Sequence, residues 1–169
     1  MPATSARVRA WGLGLLLLGA DQVTKRLAAS GLEPSVPVDL LGRVVRLSLR
    51  RNSAAAFSIS WGGPDFLLVF SVAAAIAVAV LIWRCRSCSP LSLLALGAIM
   101  GGAAGNAIDR IMHGWVIDFI DIGAGGFRWP TFNVADIGIT VGGVLLVILH
   151  GGRSRRGGKG GAATDGEQA

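Results

Sequence analysis

From Phe66 to Trp83 the chain runs eighteen residues without a charge. A helix crossing a bilayer needs about 20 mostly apolar residues, with a working range of about 17–25. Leu91 to about Ile108 is equally clean and ends at Asp109-Arg110. Trp11 to about Ala29 is apolar through Ala20 and then meets Asp21 and Lys25, and Phe132 to His150 holds one carboxylate, Asp136, near its start. The pattern predicts an all-α membrane protein with four transmembrane helices over about 11–29, 66–83, 91–108 and 132–150. Composition agrees: 52% of residues are hydrophobic and 15% charged, against about 25% charged in a soluble domain. That balance excludes a water-soluble globule, and the apolar excess excludes intrinsic disorder.

Net charge is +6, which in a soluble protein would point to nucleic acid. In a membrane protein it reads as basic loops facing the cytoplasm and anionic lipid, and no nucleic-acid partner is expected. Arg7 and Arg9 precede the first span, Arg84 and Arg86 fill the tight turn between the second and third, and Arg153, Arg155, Arg156 and Lys159 follow the fourth. Raw Lys and Arg counts are tied between the two sides. Short loops and tails weigh more in orientation, so both termini are placed in the cytoplasm. Trp11 and Trp83 then fall at inner boundaries, and Trp61, Trp115 and Trp129 just outside the outer ones, as indole rings prefer.

Between the spans, outer segments 30–65 and 113–131 remain. Val45, Leu47 and Leu49 alternate with Arg46, Ser48 and Arg50, which reads as an amphipathic strand; the second segment adds a short strand or turn near Gly123, Gly125 and Gly126. Residues 1–150 form one domain, and 151–169 a disordered basic cytoplasmic tail. A competing reading takes Arg7, Arg9, the run to Leu18 and Gly19-Ala20 as a cleavable secretory signal, leaving three spans and Asp21 as a mature N-terminus.

Ionisable groups in a bilayer cost at least about 2.5–3.5 kcal/mol on insertion scales, and here they converge. Asp21, Thr24 and Lys25 end the first span outward. Asn106, Asp109 and Arg110 end the third, and Asn133 and Asp136 start the fourth. All lie at one depth. Asp21 and Lys25 are i and i+4, a natural ion pair; Asp109 has Arg110 next door, and such paired carboxylates are commonly structural. The ridge Gly97-x-x-x-Gly101-x-x-x-Gly105 prepares the third helix for close contact. Asp118, set in Val116-Ile117-Asp118-Phe119-Ile120, and Asp136 have no basic neighbour at helical or strand spacing. Two such carboxyls near one another split their pKa values, giving the base and acid of an aspartic protease. The alternative leaves Asp118 a solvated loop residue and makes Asp136 a helix cap or bundle pair. His113 and His150 sit on opposite sides, so no zinc site is expected, and Cys85-x-x-Cys88 in the cytoplasmic turn reads as incidental.

Five blocks occur in order: Asp21-Gln22-Val23-Thr24-Lys25, Asn52-Ser53-Ala54-Ala55-Ala56-Phe57, Gly101 to Arg110, Val116-Ile117-Asp118-Phe119 and Phe132-Asn133-Val134-Ala135-Asp136. Together, over about residues 11–150, they resemble the bacterial lipoprotein signal peptidase family (signal peptidase II). The resemblance implies a four-helix aspartic peptidase of the cytoplasmic (inner) membrane with a small extracytoplasmic β-rich cradle and its active site near the outer face. It implies an enzyme that removes the signal peptide from diacylglyceryl prolipoproteins, cutting before the lipidated cysteine, without cofactor or metal, and that is a target of globomycin. Matched motif to motif, it makes Asp118 and Asp136 catalytic. It sets Asn52, Asn106 and Arg110 around peptide and lipid, with Asn133, Asp21, Lys25 and Asp109 as further binding or supporting residues. The first helix then belongs to the mature protein, which removes the cleaved-signal reading. Ala54 stands where the family usually has Gly. A monomer is expected, since one chain holds the whole cluster. The competing functions are a small ion- or proton-coupled carrier using Asp136 and a structural membrane partner in which the polar cluster only joins helices.

Overall fold

Among the described residues of this computed structural model (2–34, 36–53 and 63–154), four helices and four strands follow one another. The order is α1 (Pro2–Gly31), β1 (Val38–Leu41), β2 (Val45–Asn52), α2 (Gly63–Arg84), α3 (Pro90–His113), β3 (Val116–Ala124), β4 (Phe127–Arg128) and α4 (Val134–Ser154). Each expected span coincides with a helix. The boundaries move: α1 starts at Pro2 rather than near Trp11, α3 runs one turn past Ile108, and α4 begins at Val134 and continues through 151–154, which the sequence reading gave to the tail. The caps explain the α3 shift. Ser89 accepts from the Ser92 N–H at 3.1 Å with Pro90 behind it, and Gly114 at φ 80° closes α3 through its N–H to the Arg110 carbonyl. Three helices are long and apolar enough to cross a membrane, over Asp65–Arg84, Pro90–His113 and Val134–Gly151. Helix α1 carries its polar residues too densely to join them. Trp61, Ala54 and residues 155–169 lie outside the described residues.

Helix α3 is the axis of the bundle, because glycine lets backbones touch. A methyl on Gly97 would land on the carbonyl of Ala10, and one on Gly101 on that of Gly14, so α1 lies parallel against this ridge. On the other flank Gly102 abuts the Ala135 carbonyl, Gly138 faces Ala98 and Gly142 faces Ala95, so α4 runs antiparallel. Ala6, Ala10, Ile82, Leu93, Leu96 and Met100 fill the far end, where the start of α1 meets the end of α2. The outer faces are apolar: Leu15, Leu16, Phe70, Val80, Val147 and Ile148 are all exposed. In water such a surface would aggregate. In lipid it is the side facing solvent.

The strands form one antiparallel sheet in the order β1-β2-β3-β4, with Gly42 at φ 51° in the first hairpin turn. The expected alternation does build β2, but its phase does not hold. Leu47 pairs with Ile120, then Arg50 with Asp118, an advance of three residues against two. This bulge reverses which side chains face which way. It puts Arg50 and Asn52 on the face that Val45 and Leu47 occupy upstream. The second outer segment holds the expected turn, at Gly125-Gly126, and a short strand, β4, after a nine-residue strand, β3, that the sequence does not announce. Cys85 and Cys88 are joined as a disulfide in the α2–α3 turn, so their spacing is not incidental to the structure.

Candidate active site

Lysine is almost never fully buried without partners, and Lys25 is 1% exposed. Its three donors are all used: Asp21 Oδ2 at 2.8 Å, Asp109 Oδ2 at 2.9 Å and Asn106 Oδ1 at 3.0 Å. The i, i+4 pair therefore forms as its spacing predicts. Asp109, however, pairs with Lys25 across the α1–α3 contact and not with neighbouring Arg110. Successive helical residues point about 100° apart, and Arg110 turns towards α2, where its Nη1 donates to Ser71 Oγ at 3.1 Å. The two carboxylates also accept backbone N–H groups, Asp21 from Ala135 at 2.9 Å and Asp109 from Ile117 at 3.0 Å. One buried cation thus ties α1, α3, α4 and β3 at a single point.

The cation also orders a relay of amides. Asn106 Oδ1 accepts from Lys25 and from Asn133 Nδ2, so its Nδ2 is left to donate to Asp136 Oδ1 at 2.8 Å. Asn133 is fully buried and bridges both lone carboxyls. Its Nδ2 donates to Asp118 Oδ1 at 2.7 Å, while its backbone N–H donates to Asp136 Oδ2 at 3.3 Å and its Oδ1 accepts from the Asp136 N–H. That reciprocal pair is a capping box at the start of α4, so the helix-cap reading of Asp136 is correct as local structure. It does not exclude the other reading, since Asp136 remains half-buried beside Asp118.

Asp118 is 2% exposed, not a solvated loop residue. The bulge in β2 brings Asn52 opposite Val116, diagonal to Asp118 on the same face, and Asn52 Nδ2 donates to Asp118 Oδ2 at 2.9 Å. The Phe132 carbonyl accepts from the Phe119 and Ile120 N–H groups, pinning the approach to α4 against β3. Burial pushes the Asp118 carboxyl up to about 6, and the nearby charge of Asp136 adds to the rise; Asn52, Asn133 and Lys25 oppose it. A carboxyl moved from 3.8 to about 6 costs up to about 3 kcal/mol of folding stability once pH exceeds the higher value, and nothing below the lower one. The guanidinium of Arg110 acts electrostatically on Asp136, Asp118 and Asp109 together.

Every residue expected to catalyse, bind or support enters this cluster; Thr24, expected at the same depth, does not, and its hydroxyl donates to the Ala20 carbonyl of its own helix. Two members escaped the sequence reading. Gln22 Nε2 donates to Asp109 Oδ1 at 3.0 Å, and Ser71 holds Arg110. Each is a polar side chain inside an apolar span, a signal weaker than charge but of the same kind. Among the described residues no three metal-ligating side chains converge.

An apolar-faced bundle with a polar interior at one end, roofed by a small sheet, is the build of a bacterial membrane enzyme. Two solved structures described in those words superpose on the chain: one with a TM-score of 0.80 and 26% identity, covering 92% of this chain and 94% of that one, the other with a TM-score of 0.74 and 28% identity, covering 83% and 90%. The family model "Signal peptidase (SPase) II" matches residues 13–150, and the chain belongs to that family of membrane-integral proteases. Its relatives include the lipoprotein signal peptidase of Rhodococcus jostii (strain RHA1), 42% identical over 79% of this chain and 68% of that protein. That of Syntrophomonas wolfei is 37% identical over 84% and 92%, and that of Mycobacterium tuberculosis (strain ATCC 25618 / H37Rv) 39% over 88% and 74%.

Proposed function

We propose that the chain removes the signal peptide from diacylglyceryl prolipoproteins by an aspartic mechanism, cutting before the lipidated cysteine. The observation that carries this reading is Asn133, whose one side chain and backbone amide hold Asp118 and Asp136 on either side of it. Asp118, the deeper carboxyl, keeps its proton and donates a hydrogen bond to the scissile carbonyl. Asp136, receiving N–H groups from Asn106 and Asn133, carries the negative charge and takes a proton from the attacking water. Asp118 then passes its proton to the leaving amine. Asn52 and Arg110 flank the peptide, and the diacyl chains lie in bilayer lipid between the helices.

In this reading four helices, α1 included, cross the inner membrane with both termini cytoplasmic, residues 1–150 make one peptidase domain, and the monomer is complete. The alignment of Asp21 on α1 with Gly105 on α3 supports a first helix inserted to the same depth as the third. The carrier reading needs Asp136 to load and release an ion. Its place in a capping box and its bond from Asn106 favour a fixed catalytic group instead.

Incubating the purified protein with a diacylated prolipoprotein, with and without globomycin, tests the assignment. Cleavage that globomycin blocks is expected. In a strain lacking the native enzyme, Asp118→Asn and Asp136→Asn insert normally and leave prolipoprotein uncut; normal processing by either variant overturns the pair.

A further inference from the structure

At the end of the bundle opposite the polar cluster lies a concave surface. Successive contacts along α1 pair Ala10 with Gly97, Gly14 with Gly101 and Asp21 with Gly105. From Lys25 back to Arg7 is eighteen residues, about 27 Å at about 1.5 Å per residue, close to the roughly 30 Å of a hydrocarbon core. There, between the start of α1 and the end of α2, a groove of about 520 Å³ is lined by Thr4, Arg7, Val8, Trp11, Trp83, Arg84 and Arg86.

Its lining holds three guanidiniums, two indoles and no carboxylate. Arg7 Nη2 donates to the Cys85 carbonyl at 2.9 Å and fixes one wall, while its Nε is buried with no partner among the described residues. Arg84 and Arg86 are exposed, and Trp83 is 76% exposed. Charge that only sets orientation needs no concavity. A fork of guanidiniums recognises phosphate oxygens, and exposed indole beside it fits the boundary between headgroup and acyl chain.

We propose that this groove is a binding site for an anionic phospholipid of the leaflet facing away from the paired aspartates. The phosphodiester sits between Arg84 and Arg86, and the glycerol and upper acyl chain lie along Val8, Trp11 and Trp83. The inference needs the helices to span a bilayer and does not depend on the peptidase reading.

Native mass spectrometry of the full chain in neutral detergent, titrated with phosphatidylglycerol or phosphatidylcholine, tests it. One phosphatidylglycerol is retained in preference to phosphatidylcholine. Arg84→Gln/Arg86→Gln lowers its affinity about thirtyfold, from about 1 kcal/mol per guanidinium, and Arg84→Lys/Arg86→Lys keeps most of the preference. Both positions are exposed, so the double variant melts like the parent and cleaves diacylated prolipoprotein at the parental rate. Equal retention of the two lipids, or unchanged phosphatidylglycerol affinity in the Gln variant, overturns the proposal. So does displacement of the lipid by inorganic phosphate, which would make the groove a free-anion site.

Discussion

Asn52→Ala separates the proposed roles of the two aspartates through a pH profile. Asn52 Nδ2 donates to Asp118 Oδ2 at 2.9 Å, and that bond holds the Asp118 carboxyl lower than burial alone would. The donor favours the ionised form, so its loss disfavours ionisation and the pKa rises. A hydrogen bond to a charged group contributes about 1.5–3 kcal/mol net. Asn52 is half-buried and water replaces part of what it gives, so the lower end applies, about one pH unit. If Asp118 is the acid, kcat/KM of the parent falls above a limb near pH 6 because the proton is lost from free enzyme. In Asn52→Ala the limb moves to about 7. Below about pH 5 both proteins hold the proton, so their ratio there isolates whatever Asn52 adds to substrate binding. Relative to that ratio, the variant gains about eightfold at pH 7.5, from about 3% to about 24% protonated enzyme. The assay is cleavage of a diacylated lipopeptide across pH 5–8. A limb that stays in place or moves to lower pH refutes the assignment of the proton to Asp118.

Lys25→Met leaves Asp21 and Asp109 buried against each other without their cation, a loss of about 3–5 kcal/mol; it shows as a lowered melting temperature in detergent and lost cleavage. Gly101→Ala drives a methyl into the Gly14 backbone and separates α1 from α3, costing about 1–3 kcal/mol. Its readout is the melting temperature in detergent. No loss of stability in this variant refutes the close helix contact.

How much of this was legible beforehand follows from the range of each interaction. The lengths of α2, α3 and α4 are set by unbroken apolar runs, the Asp21–Lys25 pair by one helical turn, and the α3 ridge by glycines four apart; these patterns repeat within a single element and can be read along it. The match of five ordered blocks carried the family. Partner choice was not legible in the same way. Asp109 stands beside Arg110 in the chain, yet a helix turns consecutive side chains apart, and the packing of α1 on α3 supplies Lys25 instead. The β2 alternation was visible, but the bulge that reverses its phase depends on pairing with a strand 66 residues away from Asn52 at Asp118.

By itself, then, the order of residues determined that polar groups would be concentrated at one end of an otherwise apolar chain, because hydrocarbon penalises them everywhere else. Only the tertiary structure decided which hydrogen bonds each carboxyl receives. Asp21 and Asp109 face a buried ammonium and act as struts. Asp118 and Asp136 receive their hydrogen bonds from side-chain amides instead, which position each carboxyl without a direct ion pair.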